Sequence, residues 1–209
     1  QDPVRAAQRG DAEAARRWPD NSPAAVAGRQ ASLQEFRRRL LAIPAAGLGD
    51  EDALNRELLL GRVDLALDGF AFDEQRLAFI SGDGSYTTAD YDAADAEAWI
   101  ARLQALPAYY ARETENLRRG IQTGVTQPPR TVARAIADVR AQLGQAPDKT
   151  PLLAPFRNAA PSFPPDQLAA FERRGRAALE QQVRPAQREL LRFLEQDYLP
   201  AARPRIGIG

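Results

Sequence analysis

The chain has 209 residues, with 28 basic and 28 acidic side chains and neither histidine nor cysteine. The balanced charge gives no sign of the basic surface that nucleic-acid binding requires. The missing residue types exclude a disulfide framework, the usual zinc ligands, and catalysis of the Ser-His-Asp or Cys-His kind.

The first third of the chain predicts a series of helices separated by proline and glycine. Ser32 is predicted to be an N-cap, with Glu35 three residues later as in a capping box. Apolar residues then recur at helical spacing up to Pro44. A second helix is predicted to begin at Asp50 and to reach about Gln75. Its apolar stripe comprises Leu54, Leu58, Val63, Leu65 and Leu67.

The segment 77–91 predicts a small β-hairpin or an ordered loop. Asp83-Gly84 is a strong hairpin signal, although the backbone of a glycine-rich turn could also approach a ligand. The acidic residues around it do not have the spacing of a calcium loop. Near a helix N-terminus, they would instead interact favourably with the helix dipole. They are Asp83, Asp90, Asp92, Asp95 and Glu97.

The rest of the chain predicts more helices. A long helix begins at about Asp92, with a kink or break expected at Pro107. Another opens at Pro128-Pro129, and the last one is expected to be kinked at Pro185. The predicted fold is therefore mainly α, a multi-helix array or bundle in one module. Its parts are helices in 1–76, a hairpin or loop in 77–91, helices in 92–145, a proline-rich connection in 146–165 and a kinked C-terminal helix in 166–200.

Aromatic and basic clusters offer the remaining candidates for a site. Trp99, Tyr109 and Tyr110 could line a pocket, but aromatic residues at helical spacing are more typical of a core. The arginine clusters have acidic neighbours, which favours solvated helix faces over a binding patch. These clusters are Arg37 to Arg39, and Arg173 and Arg174 with Arg176.

The two ends of the sequence suggest a processed piece of a longer protein. The chain begins at Gln1 and contains no methionine, so we expect that a signal peptide has been removed. We therefore expect an exported protein of the periplasm or cell envelope. No apolar run approaches the roughly 18–20 residues that a membrane span needs. The abrupt end at Gly209 leads us to expect a chain that continues.

Several short pieces follow one another in a recognisable order. They are Trp18-Pro19, Phe36-Arg37, the run from Asp50 to Asn55, the run from Arg102 to Pro107, Leu117 to Ile121 with Gly124, Pro128 to Arg130, Leu153 to Phe156, Val183 to Ala186, and Phe193 to Arg203. Taken in this order and spacing, they resemble the N-terminal half of the bacterial domain-of-unknown-function 885 proteins. The resemblance covers nearly the whole chain.

The resemblance implies a much longer, often exported or lipoprotein-like protein that is similar to helical zinc metallopeptidases. It also implies that zinc and its His and Glu ligands belong to the C-terminal half of the same protein, where a metal-activated water attacks a carbonyl group. No position of this chain matches that motif. We therefore predict no catalytic, cofactor-binding or metal-binding residue here, and we expect the C-terminal half and a peptide substrate as partners.

Two hypotheses about function remain open. The first is a non-catalytic helical half that shapes the substrate channel of an exported zinc-dependent peptidase or hydrolase. The alternative is a stand-alone helical binding or scaffold module without enzymatic activity. A hydrolase that uses only carboxylates is disfavoured, because no pair of acids stands out. A separated half exposes apolar surface that its partner normally covers, so we expect the isolated chain to self-associate.

Overall fold

A computed structural model describes residues 3–7, 9–77, 93–157 and 163–204 of the chain. The described residues are helical and contain no strand, which confirms the mainly α fold. The hairpin or loop predicted for 77–91 lies outside the described residues, except for Leu77, which ends a 3₁₀ stretch. The α-helices are α1 (Pro3–Ala7), α2 (Pro23–Leu41), α3 (Asp50–Gly69), α4 (Ala93–Gln122), α5 (Pro129–Gly144), α6 (Ala154–Arg157), α7 (Pro165–Ala178) and α8 (Arg184–Phe193).

The chain divides into two compact units. The larger unit comprises Gln1–Pro19 and Arg76–Gly209, and the hairpin unit comprises Asp20–Gln75. The hairpin unit contains α2 and α3, followed by a 3₁₀ turn, Phe70–Phe72. The larger unit contains the other six helices of the described chain.

Helix α2 begins ten residues earlier than its sequence predicted. Its N-cap is Ser22, whose side chain accepts a hydrogen bond from the backbone N–H of Ala25, and Pro23 is the first helical residue. Proline suits that position because its missing N–H would have no partner there. The predicted N-cap, Ser32, is wrong: it lies inside the helix, and its hydroxyl donates to the carbonyl of Gly28 at 2.9 Å.

The hairpin unit is held by few buried side chains. Leu40 of α2 and Val63 of α3 are buried. The Arg37 guanidinium pairs with Asp64, and Arg56 donates to the carbonyl of Leu40. The apolar stripe predicted for α3 is largely exposed, since only Val63 among its five members is buried and Leu67 is half-buried. The strongly exposed members are Leu54, Leu58 and Leu65.

Helix α4 is the central element of the larger unit. It packs against α7, α8 and the short 3₁₀ turn Ala14–Arg16. At 30 residues it is about 45 Å long. Of the kink or break expected at Pro107, the break does not occur, because α4 continues through this residue. Its buried face carries the apolar residues that start the core, namely Ala96, Trp99, Ile100, Leu103, Leu106, Tyr110 and Leu117.

The C-terminal end of α4 is closed by a tight turn. Gly124 has a φ of 70°, a left-handed conformation that glycine adopts without steric cost. The backbone N–H of Val125 returns to the carbonyl of Gly120 at 2.8 Å. A Cβ atom on Gly120 would lie 2.6 Å from the carbonyl oxygen of Val125 and 2.7 Å from that of Arg76. Glycine is therefore required at position 120 by packing.

The proline-rich stretch after α5 lies against the core. Its side chains Leu152, Leu153, Phe156 and Phe163 are buried. The indole N–H of Trp99 donates to the carbonyl of Leu152 at 2.8 Å, which ties this stretch to α4.

Helices α7 and α8 are joined by a π-helical turn, Leu179–Val183. Pro185 is the second residue of α8, and Arg184 alone separates it from this turn. Proline has no N–H to give to the carbonyl four residues before it, and its ring would clash with that carbonyl in a regular α-helix. The wider turn accommodates Pro185 without dividing the helical path. A second π-helical turn, Leu194–Tyr198, follows α8.

Candidate functional site

A groove of about 330 Å³ runs between α4 and α8 in the larger unit. The α4 wall is a single helix face, because its residues recur at intervals of three and four. It consists of Pro107, Tyr110, Ala111, Thr114 and Arg118. The opposite wall follows the same rule along α8 and the π-helical turn after it. That wall consists of Ala186, Glu189, Leu190, Arg192, Phe193, Gln196 and Asp197.

The floor of the groove is apolar and rigid. Leu190 and Phe193 are buried, and Tyr110 is only 3% exposed. Burial raises the pKa of Tyr110 to about 12, and a side-chain hydrogen bond with Gln187 opposes that rise. Gln187 also donates to the side-chain oxygen of Gln142 at 2.9 Å, which connects α8 to α5. Tyr110 is therefore a neutral, fixed phenol at neutral pH.

The second π-helical turn fixes the end of the α8 wall. The Tyr198 side chain is fully buried, and its hydroxyl accepts a hydrogen bond from the backbone N–H of Gln127 at 2.9 Å. Burial raises the pKa of the Tyr198 hydroxyl, and this hydrogen bond lowers it. Gln196 and Asp197 belong to the same turn and line the groove. Insertions of this kind in helices are frequent at functional sites.

Charged groups of both signs surround the apolar floor. The Arg118 guanidinium carbon lies 5.3 Å from the ring centroid of Phe193, a cation–π arrangement, and one of its nitrogens is 3.4 Å from a carboxylate oxygen of Glu115. Glu189, Arg192 and Asp197 are exposed and form no ion pair with another described residue. They remain available to a ligand that carries both donors and acceptors.

The aromatic candidates belong to the core or to its edge. Trp99 is buried and donates to the connection before α6. Tyr109 stacks on Trp18 with ring centroids 5.3 Å apart. Only Tyr110 also lines the groove. For Trp99 and Tyr109, the structure thus agrees with the interpretation as core residues.

Some of the acidic and basic candidates form ion pairs on the surface. Glu97 pairs with Arg174, and this hydrogen-bonded arginine lowers the pKa of the Glu97 carboxyl. Arg38 pairs with Glu35 at 2.6 Å, on the exposed surface of α2. Asp95 lies in the first turn of α4, where the helix dipole favours it. Asp83, Asp90 and Asp92 lie outside the described residues.

The residues of this chain do not fit a zinc centre. The sequence has no histidine or cysteine, and zinc sites draw chiefly on these two residue types. Within residues 3–7, 9–77, 93–157 and 163–204, no three acidic side chains come together as a metal site. No catalytic step through a metal is therefore assigned to these residues.

The larger unit is helical and carries a groove with a mixed polar and apolar lining, and comparison with known families adds to this description. The model of a family described as "Bacterial protein of unknown function (DUF885)" matches residues 3–207. The chain belongs to this family. No curated protein matches the chain significantly. Among the described helices, none is both long enough and apolar enough to cross a membrane.

Most of the groove could not be identified from the sequence. Tyr110 was a candidate, but Thr114, Glu189, Arg192 and Asp197 were not. The only signal was the recurrence of Pro107, Ala111, Thr114 and Arg118 on one face of α4. Helical spacing shows which residues share a face, but it does not show which other helix that face meets.

Proposed function

We propose that this chain is the non-catalytic helical part of an exported zinc-dependent peptidase or related hydrolase. In this proposal the groove between α4 and α8 forms part of the wall of the substrate channel. The observation that carries it is the groove itself, with an apolar floor at Phe193 and Tyr110. Its rim has charges of both signs, Glu189, Arg192 and Asp197, which form no ion pair within the described part of the chain. The class of reaction is taken from what the family resemblance implies, namely that these proteins are similar to helical zinc metallopeptidases.

A peptide is the ligand that best matches this lining. Its backbone alternates N–H donors and carbonyl acceptors, and its side chains include apolar groups that can pack on Leu190 and Phe193. Carboxylates at Glu189 and Asp197 accept hydrogen bonds from N–H groups, and the guanidinium of Arg192 donates to carbonyl oxygens. The walls are held before binding by helix packing, so little ordering cost opposes association.

The proposal assigns zinc to a segment other than these 209 residues, because the residues present do not fit it. Zinc would supply the activation of water. The groove residues would bind and orient the peptide. They are positioning residues in this account, and none of them is assigned a proton transfer.

Steady-state kinetics of peptide hydrolysis by the full product of the native gene tests this proposal. We expect R192Q and D197N each to raise KM about fivefold, which is about 1 kcal/mol per exposed contact, with little change in kcat or zinc content. R188Q is the matched control, because Arg188 lies one turn before Arg192, is exposed and does not line the groove. An unchanged KM in R192Q and D197N would refute the role of the groove.

The stand-alone binding module remains the alternative. It predicts a native product that binds peptides through the same groove but contains no zinc and hydrolyses nothing. Peptide binding measured by calorimetry, together with metal content, separates the two functions. A metal-free product whose peptide affinity falls in R192Q but not in R188Q would favour the alternative.

A further inference from the structure

A second pocket, distinct from the groove, lies in the larger unit beside α7. Its volume is about 300 Å³, at the small end of the range for ligand sites, roughly 300–1,000 Å³. The wall on one side is the chain between α5 and the end of α6, with Leu153, Phe156 and Arg157. Arg173 and Arg176 of α7 form the other side.

The apolar floor of this pocket is fixed by its surroundings. Phe156 is 1% exposed and Leu153 is 6% exposed. The α6 side is held by Trp99, which donates to the carbonyl of Leu152, and by Arg157, whose guanidinium donates to the carbonyl of Thr150 at 3.0 Å. The floor therefore exists before a ligand binds.

Gly175 explains how the floor meets α7. A Cβ atom at this position would lie 2.4 Å from one carbon of the Phe156 ring and 3.0 Å from the next. The ring is buried and cannot move aside easily. The absence of a side chain at position 175 thus lets the ring lie directly on α7.

The rim carries charged side chains that form no ion pair with any residue that the structure describes. Arg173 and Arg176 are exposed and share one face of α7. Glu172 lies four residues before Arg176, a spacing that permits an ion pair, yet neither residue forms one within the described chain. Asp148 is a second acid at the rim. The pocket thus combines an apolar floor with cations and carboxylates that no described residue neutralises.

We infer that this pocket binds a free α-amino acid with an apolar side chain. The carboxylate of the ligand would meet Arg173 and Arg176, its ammonium group would meet Glu172 or Asp148, and its side chain would pack on Phe156 and Leu153. A simple carboxylic acid would leave the two acids unused, and a simple amine would leave the arginines unused. This inference does not depend on the proposed function.

Titration of the purified chain by NMR with L-leucine, isocaproate and isoamylamine tests the inference. The two analogues lack the ammonium and the carboxylate group, respectively. We expect saturable binding of L-leucine with a Kd on the order of 1 mM or tighter, and binding at least fivefold weaker for each analogue. No saturation with L-leucine, or equal affinity for isocaproate, would overturn the inference.

Variants locate the binding to this pocket. We expect R173Q/R176Q to weaken L-leucine binding about tenfold, whereas R130Q/R188Q, which removes two exposed arginines elsewhere, leaves it unchanged. We expect E172Q to reduce the preference for L-leucine over isocaproate. Both sets replace surface residues, so circular dichroism should show unchanged folding. Equal losses in the two double variants would contradict the assignment.

Discussion

The two units of this chain place their apolar residues in opposite environments. In the larger unit, apolar residues of α4, α5, α7 and α8 form one continuous buried cluster. In the hairpin unit, α2 and α3 bury only Leu40 and Val63 among their large apolar residues. Within the described chain, the strongly exposed large apolar residues all belong to the hairpin unit: Phe36, Leu41, Ile43, Leu54, Leu58, Leu59, Leu65 and Phe72.

This difference shows what helical periodicity can and cannot establish. A pair of helices has one mutual interface, so each helix buries one narrow stripe and leaves the rest of its surface outside. A helix with neighbours on several sides, such as α4, buries a much broader face. Leu54, Leu58 and Leu65 of α3 are four and seven residues apart, as on one helix face, yet they are exposed. The number of packing neighbours therefore decides which apolar residues are buried.

The largest expected effect comes from a matched pair of leucine truncations. Leu117 is fully buried in the larger unit, whereas Leu65 is 74% exposed in the hairpin unit. We expect L117A to lower the free energy of unfolding by about 4 kcal/mol and L65A by less than about 0.5 kcal/mol. Urea unfolding followed by circular dichroism measures both. Similar losses in the two variants would remove the contrast between the units.

A pair of glycine substitutions sharpens the comparison without removing any atoms. G120A places a Cβ against two backbone oxygens, and we expect a loss of about 3 kcal/mol. G61A in α3 meets no atom within 4 Å and should gain about 0.5–1 kcal/mol, because alanine favours the helix. Thermal and urea unfolding give both values. A tolerated alanine at position 120 would show that α4 does not end as described.

Alkaline pH should affect the larger unit selectively, because residues 20–75 contain no tyrosine. The pKa of Tyr110 is about 12 in the folded state and about 10 in the unfolded state. Folding favours the neutral phenol of Tyr110, and this contribution to the free energy of unfolding is complete below pH 10. It is lost as the pH rises from 10 to 12, because the unfolded state then releases the proton more readily. In Y110F, the decrease in the free energy of unfolding between pH 10 and pH 12 should be smaller by on the order of 2 kcal/mol.

Y109F is the control for this titration, because Tyr109 is only partly buried. Unfolding should be followed by the fluorescence of Trp18 and Trp99, both of which belong to the larger unit. If Y109F and Y110F have the same pH profile as the unchanged protein, burial of Tyr110 does not control its ionisation.

A smaller effect tests the start of the hairpin unit. S22A removes the side-chain acceptor for the N–H of Ala25 and should cost about 1 kcal/mol. S32A removes a hydroxyl that bonds only to a carbonyl within the same helix, and its effect should be close to zero. Circular dichroism during urea unfolding compares the two. If S32A lowers the free energy of unfolding more than S22A does, Ser32 is the N-cap, as predicted from the sequence.

Self-association of the isolated chain stays a prediction, and it is the weakest effect expected here. The exposed side chains of Leu54, Leu58 and Leu65 provide the apolar surface for it. We expect a concentration-dependent increase in mass by light scattering, reduced in L54Q/L58Q. A single monomer mass across a wide range of concentrations would contradict this expectation.

The sequence predicts which residues form helices more reliably than it predicts which helices pack against each other. The stripe Val132, Ile136 and Val139 of α5 is buried as its periodicity indicates. Two signals near α2 each favour a helix start: the pair Ser32 and Glu35, and Pro23 after Ser22. The helix starts at Pro23. The π-helical turns had no sequence signal beyond Pro185. The groove was harder to predict than the helices, because Arg192 lines it only when α8 lies beside α4.

The most direct test of the proposed function is the zinc content of two preparations measured side by side. One is the full product of the native gene, and the other is the 209-residue chain. The account predicts about one zinc per molecule of the native product and only background zinc in the chain, whose composition lacks histidine and cysteine. Stoichiometric zinc in the 209-residue chain, or a native product without metal, would contradict the account.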